Sequence, residues 1–151
     1  EARFDAGDGR IELPVKLKVH DSIFVPLAKW AMLLAGNYRC LKTDGIRTIQ
    51  ETVHSDLDTT RSVYNWVVEL CESLGAAADD LVPFEKYAAA AQSLASPSSA
   101  ARALAAGAVN IERTDRLVQF IAAQRDMHNA EVDRAVALVD DWLAANRRKA
   151  K

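Results

Sequence analysis

Apolar residues recur every three or four positions along most of this chain, and this spacing limits what it can fold into. The first such stripe holds Leu27, Trp30, Leu34 and Tyr38, which fall on one face of an α-helix. Alanine is abundant in the second half of the chain and favours helix, because it loses no side-chain entropy there. The pattern predicts a mainly α-helical protein, a compact bundle of about five to seven helices.

A period of two occurs near the N-terminus, where apolar and polar residues alternate over residues 11–19. The alternation predicts one short β-strand, and Pro14 confines that strand to an edge, because proline cannot donate to a ladder. Residues 1–9 are predicted to be a loop, so the strand is expected to find its partner in another domain or subunit. We therefore divide the chain into a loop and edge strand, residues 1–20, and a helical domain, residues 21–151.

Capping and breaking residues predict where the later helices begin and end. Serine and aspartate are expected to cap helix N-termini, and proline suits the first turn. Glycine is expected to end helices, because it adopts the left-handed conformation of a helix stop. The predicted boundary residues are Gly75, Asp79, Asp80, Ser96, Pro97, Gly107 and Asn110.

Composition argues against several classes of function. The 19 basic and 21 acidic residues leave a formal net charge of -2, which provides no electrostatic footprint for nucleic acid. No apolar run reaches the ~18 residues that cross a bilayer, so no membrane partner is expected. Cys40 and Cys71 are predicted to be buried, reduced thiols, which suits a cytoplasmic protein. The three histidines lack the spacing of metal ligands, so no metal is expected.

Five polar residues are candidates for binding a small polar substrate. Lys29 and Asn37 lie on the first helix about two turns apart, displaced by ~80° around its axis, and can line one edge of a cleft. A lysine in such a place can protonate a developing alkoxide or hold a carboxylate. Ser98 and Ser99 open a later helix, and Glu112 is placed near the first turn of the next one. Each also has a structural explanation in helix capping, dipole stabilisation or a lysine stem lying on the core.

Taken in order, these segments resemble the C-terminal, substrate-binding domain of the ketopantoate reductases, NADPH-dependent enzymes that reduce a 2-keto acid. In that family a lysine on the first helix is followed at four-residue intervals by two asparagines. The matching positions here are Lys29, Leu33 and Asn37, so leucine replaces the middle asparagine. The family's later order of a serine pair, a leucine, a glycine and a glutamate is matched over residues 98–112. The family's proline-rich stretch before the last helix is absent.

The resemblance implies a fold like the C-terminal domain of 6-phosphogluconate dehydrogenase and a role for each candidate residue. Lys29 is implied to be the general acid, and Glu112 to position the substrate and tune the lysine. The implied substrate-binding residues are Asn37, Ser98 and Ser99. NADPH would be bound by an N-terminal nucleotide-binding domain, of which residues 1–20 would be a remnant. This chain, which begins with Glu1, is expected to be a fragment that holds no cofactor and is inactive alone.

A second interpretation is a non-catalytic helical module for interaction or homodimerisation. Leu33 favours it, because a descendant that lost activity can keep only the fold. This interpretation predicts that Lys29 and Glu112 point to solvent and that apolar helix faces meet another subunit. The reductase interpretation predicts instead that Lys29, Asn37, Ser99 and Glu112 line one cleft.

Overall fold

The computed structural model describes residues 3–5, 7, 9–12 and 19–150. The protein is mainly α-helical, a compact bundle preceded by short strands, as the apolar spacing predicts. The helices are α1 (Phe24–Leu27), α2 (Lys29–Met32), α3 (Ile49–His54), α4 (Leu57–Ser73), α5 (Phe84–Ala91), α6 (Ser99–Ala105), α7 (Thr114–Ala123) and α8 (Ala130–Lys149). Helices α1 and α2 run on into a π-helical turn, Leu33–Asn37, and a 3₁₀ turn, Tyr38–Cys40. Counted with these turns as one segment, α1 to α8 form seven helices in the described part of the chain.

The N-terminal strand is not alone, which corrects the prediction from the alternating pattern. Strand β1 (Arg3–Asp5) pairs antiparallel with β2 (Arg10–Glu12), although residues 1–9 were expected to be a loop. Gly7 between them has a φ of 87°, the left-handed conformation that glycine adopts readily and hairpin turns need. Residues 13–18, with the rest of the predicted strand and Pro14, lie outside the described residues.

A second hairpin follows the first helical segment. Strand β3 (Leu41–Lys42) pairs antiparallel with β4 (Gly45–Ile46), and it turns the chain back towards α3. Helix α3 begins at a capping box, in which the Thr48 hydroxyl and the Glu51 carboxylate satisfy each other's backbone N–H groups.

Three predicted helix starts are wrong, because other residues occupy the cap positions. Asp80 belongs to a 3₁₀ turn, Ala78–Asp80, and α5 begins after Pro83. Helix α6 is capped by Ser98 and not by Ser96. Helix α7 is preceded by Arg113 and not capped by Asn110. The predicted stops are confirmed, since Gly75 and Gly107 take positive φ values after their helices.

Two apolar clusters form the core, and α8 contributes to both. The first surrounds Tyr64 of α4 and takes in side chains from α2, α5, α7 and the first half of α8. The second surrounds Leu104 of α6 and takes in Tyr38 and the second half of α8. Leu33 of the π-helical turn packs against both clusters. The turn that bears Asn37 is therefore anchored at the junction of the two clusters.

Both cysteines are buried, as predicted. Cys40 belongs to the second cluster and Cys71 to the first, and neither forms a disulfide. Burial raises the pKa of the Cys71 thiol, and the charge of Glu72 raises it further. Neither thiol is presented to solvent.

Candidate functional site

The π-helical turn decides where Asn37 points relative to Lys29. Its hydrogen bonds skip one residue more than those of an α-helix, as in the bond from the Tyr38 N–H to the Leu33 carbonyl oxygen. A π-helical turn therefore holds more residues per turn than an α-helical one. Asn37 is consequently rotated back towards the line of Lys29 and Leu33, and away from the ~80° offset that an unbroken α-helix would impose.

Side chains satisfy the carbonyl groups that this irregular turn leaves without their usual α-helical partners. The Arg39 guanidinium donates to the carbonyl oxygen of Ala35 at 2.8 Å. The Ser98 hydroxyl donates to the carbonyl oxygen of Asn37 at 2.7 Å. Because buried backbone carbonyls need such partners, these two residues stabilise the turn and join it to α6.

Gly36 lets α5 approach the same turn. A Cβ atom at this position would overlap the Tyr87 hydroxyl oxygen, so one of the two groups would have to shift. The hydroxyl group itself donates to the Met32 carbonyl oxygen at 3.5 Å. Close packing against Tyr87 therefore favours glycine at this position.

Three of the five candidate residues line one cavity. It has a volume of about 350 Å³ and lies between the π-helical turn, α6 and the loop before α7. We call it the α6 cleft. Asn37, Ser99 and Glu112 contribute to it from these three separate segments. Its lining residues are Leu33, Asn37, Tyr38, Ser99, Ala100, Ala103, Asn110, Ile111 and Glu112.

The other two candidates lie elsewhere. Ser98 is 3% exposed, and its hydroxyl accepts from the Ala101 N–H while donating to Asn37. It supports the wall of the cleft and does not line it. Lys29 is exposed on α2, one turn before Leu33, and is not among the lining residues of the α6 cleft.

Tyr38 holds the loop that bears Glu112. Its hydroxyl donates to the Glu112 carbonyl oxygen at 2.9 Å and accepts from the Thr114 N–H at 3.1 Å. Burial raises the pKa of Tyr38, and the nearby charge of Asp115 raises it further. The phenol is therefore protonated at neutral pH, and its proton is engaged by the backbone.

The Glu112 carboxylate is exposed and lies two residues before α7, near its first turn as predicted but outside it. Its Oε1 atom accepts from the Thr114 hydroxyl at 3.0 Å. The helix dipole therefore does not explain Glu112, because that effect acts within the terminal turn.

A cluster of ion pairs fixes the other side of this loop. Arg113 donates two hydrogen bonds of 2.9 Å to Asp115 and a third of 2.5 Å to Asp140 of α8. Arg116 also pairs with Asp140. Asp115 is fully buried beside Arg113. Although burial by itself lowers the pKa of Arg113, the hydrogen bonds to Asp115 and Asp140 raise it overall.

Sequence reasoning missed two polar residues of the cleft, Tyr38 and Asn110. Tyr38 was assigned to the apolar stripe, which its burial confirms, but its hydroxyl reaches the loop. Asn110 was assigned as a helix cap, whereas its side-chain oxygen accepts from Arg147 of α8. The only signal in the sequence was that Tyr38 directly follows Asn37 and that Asn110 lies two residues before Glu112.

A larger groove lies along α7, with a volume of about 660 Å³. Its apolar floor is formed by Trp66, Leu117, Phe120 and Met127, and we call it the α7 groove. Leu117 is 49% exposed and Phe120 is 62% exposed. Arg113 and Arg116 line its polar edge, where Asp115 and Asp140 compensate their charges.

The part of the chain that the structure describes contains no group of three or more histidine, cysteine or acidic residues able to hold a metal ion. None of its helices has the length and apolarity to cross a membrane.

Comparison with known proteins found no matching family model, and no curated protein or solved structure with significant similarity. The geometry of the α6 cleft and the α7 groove is therefore the main guide to function.

Proposed function

We propose that this chain is the substrate-binding half of an NADPH-dependent reductase that acts on a small 2-keto acid. The observation that carries the proposal is the meeting of Asn37, Ser99 and Glu112 in the α6 cleft. The residues lie far apart in the sequence, and the resemblance to ketopantoate reductases selects them independently of the fold. The cleft volume of about 350 Å³ is near the lower end of the ~300–1,000 Å³ typical of ligand pockets, which suits a small acid.

The polar groups of the cleft are suited to a ligand with adjacent carboxylate and keto oxygens. The side-chain amides of Asn37 and Asn110 and the hydroxyl of Ser99 are hydrogen-bond donors. Glu112, when ionised, only accepts hydrogen bonds and repels a carboxylate. It therefore orients the substrate, with the carboxylate directed away from the α7 end and towards Asn37.

Lys29 is the proposed proton donor. It lies one turn before Leu33, and the π-helical turn aligns it more closely with Asn37 than an α-helix would. Its ammonium group is carried on a flexible four-carbon stem, which can extend from α2 over the mouth of the cleft once a substrate binds. There it would donate a proton to the keto oxygen, which becomes the hydroxyl of the product.

The hydride would come from NADPH bound by an N-terminal nucleotide-binding domain. In this proposal the present chain binds substrate but does not turn it over by itself.

The proposal is tested by titrating the isotopically labelled chain with 2-oxoisovalerate, a small 2-keto acid, and recording backbone amide shifts by NMR. We expect the shifts to concentrate at Asn37, Ser99 and residues 110–112. Asn37→Ala should weaken binding about tenfold, as expected for the loss of a hydrogen bond to a charged ligand. Asn65→Ala, an exposed change on α4, is the matched control and should leave the affinity unchanged. Shifts confined to other surfaces, or no binding, would contradict the proposal.

The α7 groove supports a second candidate function, a helical module that associates through this face. Exposed apolar side chains gathered in a groove mark interaction surfaces more often than isolated ones do. Phe120 is the most exposed of those in the groove. A homodimer formed there should be seen by sedimentation velocity, and Phe120→Ser should dissociate it. Leu57→Ser, an exposed change on α4, should not. A wild-type chain that is monomeric at every concentration would rule out self-association through this face.

A further inference from the structure

The loop between α6 and α7 is held by the last turn of α8. The Asn146 amide is buried and donates to the carbonyl oxygens of Leu104 at 2.8 Å and Ala108 at 3.0 Å. The next residue, Arg147, donates from its Nε atom to the Val109 carbonyl oxygen at 3.0 Å. Consecutive side chains of α8 therefore fix the backbone that leads into the α6 cleft.

Arg147 also holds the side chain of Asn110, a residue that lines the α6 cleft. The Arg147 Nη2 atom donates to the Asn110 Oδ1 atom at 3.1 Å. Because a guanidinium group only donates hydrogen bonds, the amide atom that faces it must be the oxygen. The bonds to Val109 and Asn110 use two nitrogen atoms of one planar group, so the guanidinium group is itself held in a fixed orientation.

The orientation of the amide decides what Asn110 can offer to a ligand. Its Oδ1 atom is engaged by Arg147, which leaves the Nδ2 atom, with two protons, as the group available to a ligand. The two atoms diverge from the same planar carbon, so Nδ2 is held away from Arg147. Asn110 therefore contributes a hydrogen-bond donor to the α6 cleft, which suits an oxygen of a 2-keto acid.

We propose that Arg147 is a positioning residue of the α6 cleft, which turns the Asn110 amide so that its nitrogen donates to the bound 2-keto acid. The inference deepens the proposed function and rests on it, since the ligand and the cleft are the same. Arg147 is not among the lining residues of the cleft, so it acts through Asn110. Without Arg147 the amide rotates, and the ligand itself must order it, which lowers the affinity.

The test measures the binding of 2-oxoisovalerate to the full chain by NMR titration, with the shifts mapped to the cleft. Arg147→Met should weaken binding about fivefold, because a side chain ordered in the wild-type chain must then be ordered by the ligand. Arg148→Met, which removes the same charge from the neighbouring exposed position of α8, is the matched control and should leave the affinity unchanged.

A double-variant cycle separates positioning of the amide from a general effect of Arg147 on the loop or on the local charge. Asn110→Ala alone should weaken binding about tenfold. In the Asn110→Ala background, Arg147→Met should change the affinity by less than about twofold, because the amide on which it acts is absent. Equal losses from Arg147→Met in both backgrounds would overturn the inference, since Arg147 would then act without Asn110.

Asn110→Asp tests which atom of the amide faces the ligand. The aspartate keeps an acceptor for Arg147, but it has no proton to donate and its charge repels the anionic ligand. We expect it to weaken binding by more than about tenfold. Binding by Asn110→Asp as tight as that of the wild-type chain overturns the inference and leaves the proposed function standing. If the wild-type chain does not bind 2-oxoisovalerate in the cleft, the proposed function is overturned as well.

Discussion

The hydroxyl group of Ser98 makes two hydrogen bonds that hold α6 against the π-helical turn. It caps α6 through the Ala101 N–H and donates to the Asn37 carbonyl oxygen. Ser99, its neighbour, is exposed and lines the cleft. Two adjacent serines therefore have different tasks, one in stability and the other in the proposed site.

Substitution of each serine by alanine should separate these tasks. Ser98→Ala should lower the free energy of unfolding by about 1–2 kcal/mol, because a helix cap and a buried carbonyl partner are lost. Ser99→Ala should change it by less than about 0.5 kcal/mol and weaken 2-keto acid binding instead. Urea unfolding of both variants provides the measurement, and equal destabilisation by the two changes would contradict the assignment.

Gly36 shows local propensity and tertiary packing acting in opposite directions. By helix propensity alone, Gly36→Ala should stabilise the protein by about 1 kcal/mol. The added Cβ would overlap the Tyr87 hydroxyl group, so we expect a net destabilisation of about 1–3 kcal/mol. Tyr87→Phe removes the overlapping oxygen and should rescue much of the loss in the double variant. Thermal melts of the single and double variants form a cycle, and a stabilising Gly36→Ala would show that the π-helical turn has room to relax.

At the scale of elements, Arg113 ties the start of α7 to α8. Arg113→Met would leave the fully buried carboxylate of Asp115 without its partner. We expect the free energy of unfolding to fall by about 3 kcal/mol, because an unpaired buried charge is strongly destabilising. Arg116→Met removes only an exposed pair with Asp140 and should cost less than about 1 kcal/mol. Chemical unfolding of both variants measures the two losses in free energy of unfolding, and equal losses would contradict this prediction.

Asp140 makes the contact between α7 and α8 sensitive to acid. Burial acts to raise the pKa of this carboxyl, but Arg113 and Arg116 lower it overall. A carboxyl with a depressed folded-state pKa contributes stability above its unfolded pKa of about 3.9, and this is lost as the pH falls through the lower folded value. The melting temperature should therefore drop below about pH 4, and less steeply in Asp140→Asn. Asp141→Asn, a neighbouring exposed change, should retain the wild-type slope, and identical profiles for all three proteins would exclude Asp140 as the cause.

At the scale of the whole molecule, the two core clusters draw their described members from the helical part of the chain. All their described members lie at or after Leu27. Upstream of them, Ser22 donates a hydrogen bond to Asp80 at 2.9 Å. The division of the chain at residue 20 stays a prediction, which truncation of the chain can test.

A chain that starts at Asp21 should fold and keep its free energy of unfolding within about 1 kcal/mol of the full chain. A chain that starts at Phe24 also loses the Ser22–Asp80 hydrogen bond and should be less stable by about a further 1 kcal/mol. Urea unfolding of the three chains measures both steps. If the chain that starts at Asp21 lost several kcal/mol of free energy of unfolding, residues 1–20 would belong to the cooperative fold.

Much of the architecture was predictable because it depends on neighbours along the chain. The spacing of Trp30, Leu34 and Tyr38 predicted the buried face of the first helical segment, since residues three or four apart share a helix face. Cap positions were less predictable, because several serines and aspartates compete and backbone geometry selects among them. Ser98, and not Ser96, caps α6, and its hydroxyl also donates to the Asn37 carbonyl oxygen. That second contact joins residues 61 positions apart, and no local pattern encodes it.

For the candidate residues, too, local sequence gave only part of the information. Their types and order along the chain selected Asn37, Ser99 and Glu112 as candidates for the site, and local spacing placed Asn37 on the first helix. Three features could not be read from local sequence. The π-helical turn redirects Asn37, and the Tyr38 hydroxyl group holds the Glu112 loop. Ser98 is buried because its hydroxyl contacts the Asn37 carbonyl oxygen and not the cleft. Periodicity arises within one helix and can be read from the chain, whereas a cleft exists only where segments meet, so its shape and its lining were settled by packing.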